Sequence, residues 1–367
     1  MSDKRRILHV CNWLGMGGAE KLISETLPRY VEQGFDVELL LTTDINTPLR
    51  EELQKKIKVH ALPYKSFYNI MAVFKIIPFL RNYDLIHVHL FPPLYFVAIA
   101  KILSGSKVPL IFTEHSTTNS RMKFSMLAIV EKIIYNQYEK IVCITERISF
   151  ILECYLGKLI RNKLIVIENG VNLERIRLAS PIEKNHLNNK ISSNDILLLQ
   201  VSSFQEPKDQ KTVIKALRHL PPHIKLLLAG EGVLKKESEK LVTELGLDDR
   251  VIFLGVRNDI PNLIKSVDVI ILSSKYEGLS LSSVEGLSSG KPFIASNVPG
   301  LSEIVEDCGI LFDLGNDFNL ATEITKLLSS EDYYKEIADK CEKKSSLYDI
   351  NIMINKHVDM YQKILDK

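Results

Sequence analysis

The sequence predicts an α/β protein made of two doubly wound parallel sheets in series. Short apolar, β-branched runs alternate with longer segments of helical periodicity along the 367-residue chain, the pattern of parallel strands covered by helices on both faces. The rhythm breaks at RIRLASPIEKNHLNNKISSND (175–195), which loses periodicity and fills with Asn, Ser, Lys and a Pro, as a connection between domains does. Beyond it the same rhythm restarts, and the length suffices for two ordinary domains.

In the first half, strands are expected near 6–10, 37–42, 57–62, 84–88, 109–113, 140–144 and 164–167, with helices near 18–33, 66–81, 92–104, 121–137 and 145–157. In the second half, strands are expected near 196–201, 224–229, 251–254, 268–272, 293–296 and 310–312, each followed by a helix-like segment. The stretch SLYDINIMINKHVDMYQKILDK (346–367) has apolar residues at helical spacing with no strand after it, and reads as a closing helix. The expected order is an N-terminal Rossmann-like domain over 1–175, a linker over 176–195, a second Rossmann-like domain over 196–345, and the closing helix. Two such sheets place their ligand crevices at their strand ends, in the gap between the domains.

A content of 46% hydrophobic and 25% charged residues excludes a disordered polymer, a fibre or a stapled mini-protein. Lys and Arg number 47 against 45 Asp and Glu, a net of +2, too balanced for a protein whose main partner is nucleic acid. The balance hides a split: residues 1–180 carry 24 basic and 17 acidic side chains, a net of +7, leaving 23 against 28, a net of −5, for the rest. Five scattered cysteines without a C-x-x-C pair read as buried thiols of a reducing compartment. The charges of MSDKRRILHV precede an apolar run too short for a signal peptide, so no secretion signal is expected. The longest apolar stretch, LFPPLYFVAIAKIL (90–103), is broken by two prolines and a lysine, too early for a membrane span. A soluble protein is expected, or one lying on a membrane surface.

GMGGAEK (15–21) follows the first strand and opens a helix. Glycines there permit positive φ and close backbone approach, and the helix N-terminus offers free N–H groups to an anion; a turn needed only for packing is the other reading. Gly15, Gly17 and Gly18 lack the third glycine of the nicotinamide fingerprint, and no acidic residue closes the next strand, Asp44 lying just beyond it. TEHS puts Glu114 and His115 at a carboxyl strand end, where catalytic groups of open α/β sheets gather. His87 and His89 alternate on one strand and read as satisfied core residues. A zinc site is not expected, because no further Cys or His cluster supports the His-x-His pair.

In the second half, Lys208 of VSSFQEPKDQ (201–210) lies past a strand and before a helix, a place for a cation facing a phosphate. In AGEGVLK (229–235), Gly230 and Gly232 bracket Glu231 at another strand-to-helix turn. In SSKYEGLSLSSVEGLSSGKPFIAS (273–296), seven residues separate Glu277 from Glu285, and GLSLSS leads into a helix. Carboxylates accept hydrogen bonds from sugar or ribose hydroxyls while backbone amides neutralise phosphate, so the two could grip opposite ends of a nucleotide-sugar. The plainer alternative makes Glu285 a solvated helix residue and Glu277 a partner of the helix dipole.

Taken together and in order, GMGGAEK, TEHS, IENGVN (167–172), PKDQ, AGEG, FLG (253–255) and YEGLSLSSVEG resemble the retaining nucleotide-sugar glycosyltransferases of family 4 over essentially the whole chain. The resemblance implies the GT-B architecture of two facing Rossmann-like domains, with the C-terminal helix returning towards the N-terminal one. It implies that Glu285 holds the donor ribose, that Glu277 faces hydroxyls of the transferred sugar, and that the backbone of Gly278, Leu279, Ser280 and Leu281 binds the diphosphate. Lys208 would neutralise the leaving phosphate, Val256 and Arg257 would border the base, and Gly17 and Gly18 would line the crevice. His115 would sit beside the reacting face of the sugar. Gly230 and Glu231 belong to the same donor-binding set. The family commonly has an Arg five residues before the lysine; here that place is Ser203, with Arg257 or another basic group as substitute.

The implied reaction transfers a sugar from a nucleoside diphosphate, UDP or GDP, to an acceptor hydroxyl with retention, by front-face displacement in which a donor phosphate oxygen takes the acceptor proton. No Asp-x-Asp occurs, so neither a metal nor another cofactor is expected. YKSFYNIMAVFKIIPFLRN (64–82) and RMKFSMLAIVEKIIYNQYEK (121–140) mix Lys and Arg with Phe, Ile, Leu and Tyr, as helices at a membrane interface do and as helices packed on a sheet also do. The first reading gives a cytoplasmic protein peripheral to the inner face of an anionic membrane, acting on a glycan or lipid-linked glycan acceptor in bacterial capsule, lipopolysaccharide or other surface-polysaccharide synthesis. The rivals are a nucleotide-sugar epimerase, a glycogen-type phosphorylase and a non-catalytic sugar-nucleotide-binding protein.

Overall fold

The computed structural model describes residues 4–15, 17–115 and 127–367. By its contacts the chain divides into two compact units, residues 1–170 with 350–367, and residues 171–349.

The first unit holds a parallel sheet of β1 (Arg6–Cys11), β2 (Asp36–Leu41), β3 (Lys58–Ala61), β4 (Leu85–His89), β5 (Leu110–Glu114), β6 (Lys140–Cys143) and β7 (Leu164–Val166), in the order β3-β2-β1-β4-β5-β6-β7. Its helices are α1 (Gly18–Glu32), α2 (Pro48–Gln54), α3 (Ala72–Ile76), α4 (Pro93–Ser104), α5 (Leu127–Asn136) and α6 (Glu146–Leu156). In the second unit α7 (Leu173–Arg177) and α8 (Lys184–Leu187) precede β8 (Ile196–Val201), α9 (Gln210–Ala216), β9 (Ile224–Ala229), α10 (Lys235–Glu244), β10 (Val251–Gly255), α11 (Ile260–Lys265) and β11 (Val269–Leu272). Then come α12 (Leu281–Leu287), β12 (Phe293–Ser296), α13 (Ser302–Val305), β13 (Ile310–Phe312), α14 (Asp317–Leu328) and α15 (Glu331–Ser345). The second sheet, also parallel, runs β10-β9-β8-β11-β12-β13. Each sheet has its first strand inside, flanked by the second and fourth, so each reverses its winding there and opens a crevice at the carboxyl strand ends.

The central strands are buried on both faces, as their unbroken apolar runs require. Side-chain caps set several helix starts: Thr145 accepts from the Ile148 N–H (3.2 Å) and Asn316 from the Asn319 N–H (2.9 Å). α4 stops at Gly105, whose φ of 64° a side chain would oppose.

Three expectations change, and a fourth lies partly outside the described residues. The helix expected over 66–81 is the short α3 followed by a 3-10 turn, Ile77–Arg81. Ser66 Oγ and Asn69 Oδ1 accept from the Tyr68 and Met71 N–H groups, which gives the backbone a turn in place of a helix. The stretch 121–126 of the next expected helix lies outside the described residues, and α5 supplies the rest. The segment 176–195 is part of the second unit: Ser266 Oγ accepts from the Ile182 N–H (2.7 Å), Lys184 reaches Asp268 (3.1 Å), and Leu187 and Ile191 are buried. Among the cysteines Cys154 is exposed, because α6 buries the stripe Ile148, Leu152 and Leu156 and Cys154 falls off it.

The closing helix is α16 (Ile350–Leu365), counted with the first unit. It packs against α1, with Tyr361 edge-on to Tyr30 (5.5 Å) and Phe35 (5.9 Å).

At the opposite end of the first sheet from its carboxyl strand ends, buried Glu38 accepts from Tyr83 Oη (2.6 Å) and pairs with His60, Lys58 and Arg6. Burial pushes its carboxyl up, but hydrogen bonds from Tyr83 and His60 and the charges of Lys58 and His60 outweigh this and hold it at about 2. A folded pKa below the unfolded one contributes stability above about pH 4.3, up to roughly 3 kcal/mol, which is lost as pH falls towards 2. Chemical denaturation at pH 7 and pH 3 should therefore find Glu38→Gln much less stable than the parent at pH 7, with the gap roughly halved at pH 3. An equal gap at both values overturns the assignment.

Candidate active site

Lys208 and Glu277 form the centre of the second unit's candidate site. Their ammonium and carboxylate are in hydrogen-bond contact, with side chains only 15% and 11% exposed. The backbone imposes the meeting: Lys208 bridges to Ser274 in antiparallel fashion, the Asp209 N–H donates to the Ser273 carbonyl (3.0 Å), and the Lys275 N–H to that of Pro207 (3.0 Å). The loop after β8 is thus stitched to the loop after β11.

Buried glutamines brace this arrangement. Gln210 donates to Ser202 Oγ (3.0 Å) and the Ser203 carbonyl (2.9 Å), and Gln200 donates to Ser202 Oγ (2.9 Å) while accepting from the Ser273 N–H (3.2 Å). The loop carrying Glu277 depends on Gly300, at φ +89°, where an added Cβ would lie 2.1 Å from the Glu277 carbonyl oxygen. Pro299 accepts from the Glu277 N–H (3.2 Å). Neither glutamine nor Gly300 was singled out in the sequence, although the Pro-Gly step after a strand was a visible signal.

Gly278, Leu279 and Ser280 lead into α12, which begins at Leu281, and the Ser280 side chain makes no cap bond to the helix N–H groups. Glu285 lies one turn into α12, beside Ser282 in a small cavity with Val201, Ile260, Ile264 and Leu272. Gly230, at φ +143°, passes so near the Ser202 carbonyl that a Cβ would stand 2.1 Å away, and its N–H donates to the Gly255 carbonyl (2.8 Å). Glu231 pairs with Lys235 (2.5 Å) and is half exposed. Ser203 is exposed. Val256 is exposed, while Arg257 is held in a fork by Asp259 (2.7 and 2.5 Å), whose carboxyl this keeps below its usual range. That pairing uses two of the five N–H groups of the guanidinium expected as a substitute for the missing family arginine.

Gly17, Gly18 and His115 belong to the first unit. Gly17 caps α1 and Gly18 begins it, both exposed, and a Cβ on Gly17 would meet the Glu20 carboxylate at 2.3 Å. Glu114 is buried and accepts from Tyr135 Oη (3.0 Å). His115 lies just past β5, partly buried, with Nε2 3.5 Å from His89 Nδ1. Burial, aided by His357, pushes it down to about 4, so it is neutral at pH 7. His87 and His89 are buried and hydrogen-bonded, and a third imidazole stands beside them: ligand nitrogens of His9, His87 and His89 lie within 4.8 Å of one another. The sequence reading that no further histidine supports the pair missed His9, which the pairing of β1 with β4 brings opposite His87. His87 has both nitrogens engaged, by Tyr361 Oη (2.6 Å) and Thr113 Oγ1 (2.7 Å), which leaves it none for an ion.

Two family models match, Glycosyltransferase Family 4 over residues 16–175 and Glycosyl transferases group 1 over 181–344. The Bacillus subtilis protein EpsD is 30% identical over 204 residues, a match spanning about half (54%) of each chain. The Escherichia coli UDP-Gal:alpha-D-GlcNAc-diphosphoundecaprenol alpha-1,3-galactosyltransferase is 26% identical over 347 residues, 86% of this chain and 85% of its own. The crystal structure of Anabaena HepE in complex with UDP-glucose superposes with a TM-score of 0.85 over 98% of this chain and 99% of its own, at 23% identity, which speaks to the fold alone. With two winding-reversed parallel sheets and family models matching both halves, the chain belongs to the family 4-type glycosyltransferases of GT-B fold, enzymes that act on nucleotide-sugar donors.

Proposed function

We propose that the chain is a retaining, metal-independent transferase that moves a sugar from a UDP- or GDP-sugar to a hydroxyl of a lipid-linked glycan in bacterial surface-polysaccharide synthesis. The observation that carries this is the Lys208–Glu277 pair, shielded at a carboxyl strand end beside the backbone of Gly278–Leu281. An ammonium has three N–H donors and a carboxylate two oxygens. With one of each engaged in the pair, Lys208 keeps donors for the departing diphosphate and Glu277 an oxygen for sugar hydroxyls. Charge placed in advance where the leaving group develops its own lowers the barrier most. Retention follows from the acceptor attacking on the face the diphosphate leaves, with a donor phosphate oxygen taking its proton. His115, neutral at pH 7, meets a sugar hydroxyl without setting a second positive charge beside an oxocarbenium-like centre. Glu285 holds the ribose, Val256 and Arg257 border the base, and Gly17 and Gly18 complete the donor-binding set. The E. coli relative, named for a diphosphoundecaprenol-linked acceptor, supports an acceptor of that class. Incubation with UDP-, GDP- and ADP-sugars, scored by released nucleotide, tests the reading. Release of an isomerised nucleotide-sugar instead would make the chain an epimerase.

Membrane docking forms part of the proposal. No helix among the described residues is long and apolar enough to cross a membrane. Tyr68, Met71 and Phe74 near α3, and Ile129 and Ile133 on α5, stand exposed, Tyr68 and Ile129 at 70% each, on the half with the positive excess. Such groups favour an anionic interface. Phe74→Glu with Ile129→Glu should lower co-sedimentation with phosphatidylglycerol vesicles at low salt at least about fivefold, with donor hydrolysis unchanged; parent protein that stays in the supernatant sinks the docking claim.

A further inference from the structure

The chain has one tryptophan, and Trp13 stands two residues past β1, at a carboxyl strand end of the first unit. Three loops are laced together around it. The Thr43 N–H donates to the Asn12 carbonyl (3.1 Å), Thr47 Oγ1 donates to that of Leu14 (2.6 Å), and the Asp44 N–H to that of Tyr64 (2.7 Å), so the loops after β1, β2 and β3 run side by side. The indole passes close over Gly15, where an added Cβ would meet its Cζ2 at 2.5 Å, and packs against the Phe67 ring, with centroids 5.7 Å apart. Both rings are half-buried, so each keeps part of its surface open to solvent. The indole N–H makes no hydrogen bond among the described residues.

Polar groups rim these rings. Thr47 caps α2, accepting from the Arg50 N–H (3.2 Å) on the hydroxyl that also holds Leu14, which brings Arg50 beside the tryptophan loop. Arg50 Nη1 donates to Asp44 Oδ1 (2.8 Å) and to the Ile45 carbonyl (3.3 Å), Nε is enclosed, and Nη2 has no partner among the described residues. The Arg50 side chain is 13% exposed and that of Asp44 57%, so the carboxylate stands towards solvent while the guanidinium lies behind it. The pair cancels its own charge. A phosphate there would meet Asp44 and an ammonium would meet Arg50, whereas an uncharged polyol suits both: one hydroxyl donates to Asp44 and its neighbour accepts from Arg50 Nη2 or the indole N–H. Aromatic surface beside a few fixed polar groups is how pockets hold such ligands, the C–H face of the sugar ring lying on the aromatic rings and its hydroxyls on the rim.

We propose that Trp13, Phe67, Asp44 and Arg50 form a subsite, built from the first unit alone, that binds one pyranose ring of a glycan. Aromatic rings by themselves would suit a lipid chain equally well. The carboxylate and guanidinium beside them select the sugar, because covering polar groups with hydrocarbon costs free energy that hydroxyls would return. The indole is held in place by the packing over Gly15 and by the hydrogen bonds between the loops, so little ordering cost falls on binding. That the ring belongs to the acceptor rests on the transferase reading above; that a glycan binds here does not.

The lone tryptophan makes the test direct, because its emission reports from this place only. Full-length protein is titrated, without nucleotide, with the methyl glycosides of glucose, galactose and N-acetylglucosamine, and in parallel with inorganic phosphate and with farnesyl diphosphate. At least one glycoside should shift the emission saturably below about 10 mM, the range of a single weakly held ring, while phosphate leaves it unmoved. Asp44→Asn, which removes the charge and keeps the shape, should weaken that glycoside about tenfold, and Gly15→Ala, which displaces the indole, by at least as much. Phe67→Ala, in a loop, takes the place of Gly15→Ala if circular dichroism finds the latter unfolded. Silence towards all three glycosides, a response kept at full affinity in every variant, or saturation by farnesyl diphosphate alone overturns the proposal, the last making the surface a lipid site. Nucleotide-sugar hydrolysis with a silent Trp13 removes the subsite and leaves the transferase reading standing; a glycoside response in a chain that hydrolyses no nucleotide-sugar does the reverse.

Discussion

Replacing Lys208 with alanine should lower sugar transfer about 100-fold at saturating donor, the scale on which a single preorganised charge or donor to a leaving group acts. The effect belongs in kcat more than in KM, because the diphosphate gains charge as the glycosidic bond breaks. Glu277→Gln preserves shape while removing the charge, and should cost at least about tenfold. The two side chains touch, so the double variant should fall short of the product of the single effects, the sign of a coupled pair. Lys208→Ala also leaves the 11%-exposed Glu277 carboxylate without its cation, so the rates must be normalised to folded protein. Near-normal turnover in either purified single variant would remove the pair from the mechanism.

The second large effect lies at a residue with no functional group. Gly300→Ala must place a Cβ 2.1 Å from the Glu277 carbonyl oxygen and 2.8 Å from that of Gly278, on a backbone at φ +89°. The loop cannot yield without moving Glu277, so about 3 kcal/mol of stability and most of the activity should disappear together. Gly315→Ala is the control: φ there is +76° with nothing within 4 Å of an added Cβ, so only the left-handed penalty of about 1 kcal/mol applies, with turnover intact. Thermal unfolding and donor hydrolysis on both variants decide it; equal melting temperatures would mean that the loop relaxes and the contact is unimportant.

Strand positions were legible because buried parallel strands are written as short apolar runs, and every expected strand is present within two residues. Helix limits were less legible where side chains offered the backbone an alternative, as Ser66 and Asn69 do before α3. The polar composition of 176–195 hid its anchorage, because Ile182 and Lys184 are tied down by Ser266 and Asp268, more than 80 positions along. Lys208 and Glu277 could be picked out singly from their places after strands, but their contact is made by a bridge between two loops that local pattern does not encode. His9 was missed for a related reason: a lone histidine in an apolar strand carries no periodic signal, and only register puts it beside His87. Arg257 was legible as a cation, but its fork with Asp259, two residues on, was not.

The return of α16 to the first unit has a consequence for the order of synthesis. The second unit is a continuous stretch, 171–349, while the first is completed only by Ile350–Leu365. A ribosome adding about 5–20 residues per second makes the first seven strands, then spends on the order of ten to forty seconds on the insert before the helix that covers Tyr30 and His87 exists. During that interval the nascent first unit presents an uncovered histidine- and tyrosine-lined face while the second can already fold. Stalled chains ending at residue 349 should therefore be held by chaperones through their earlier half.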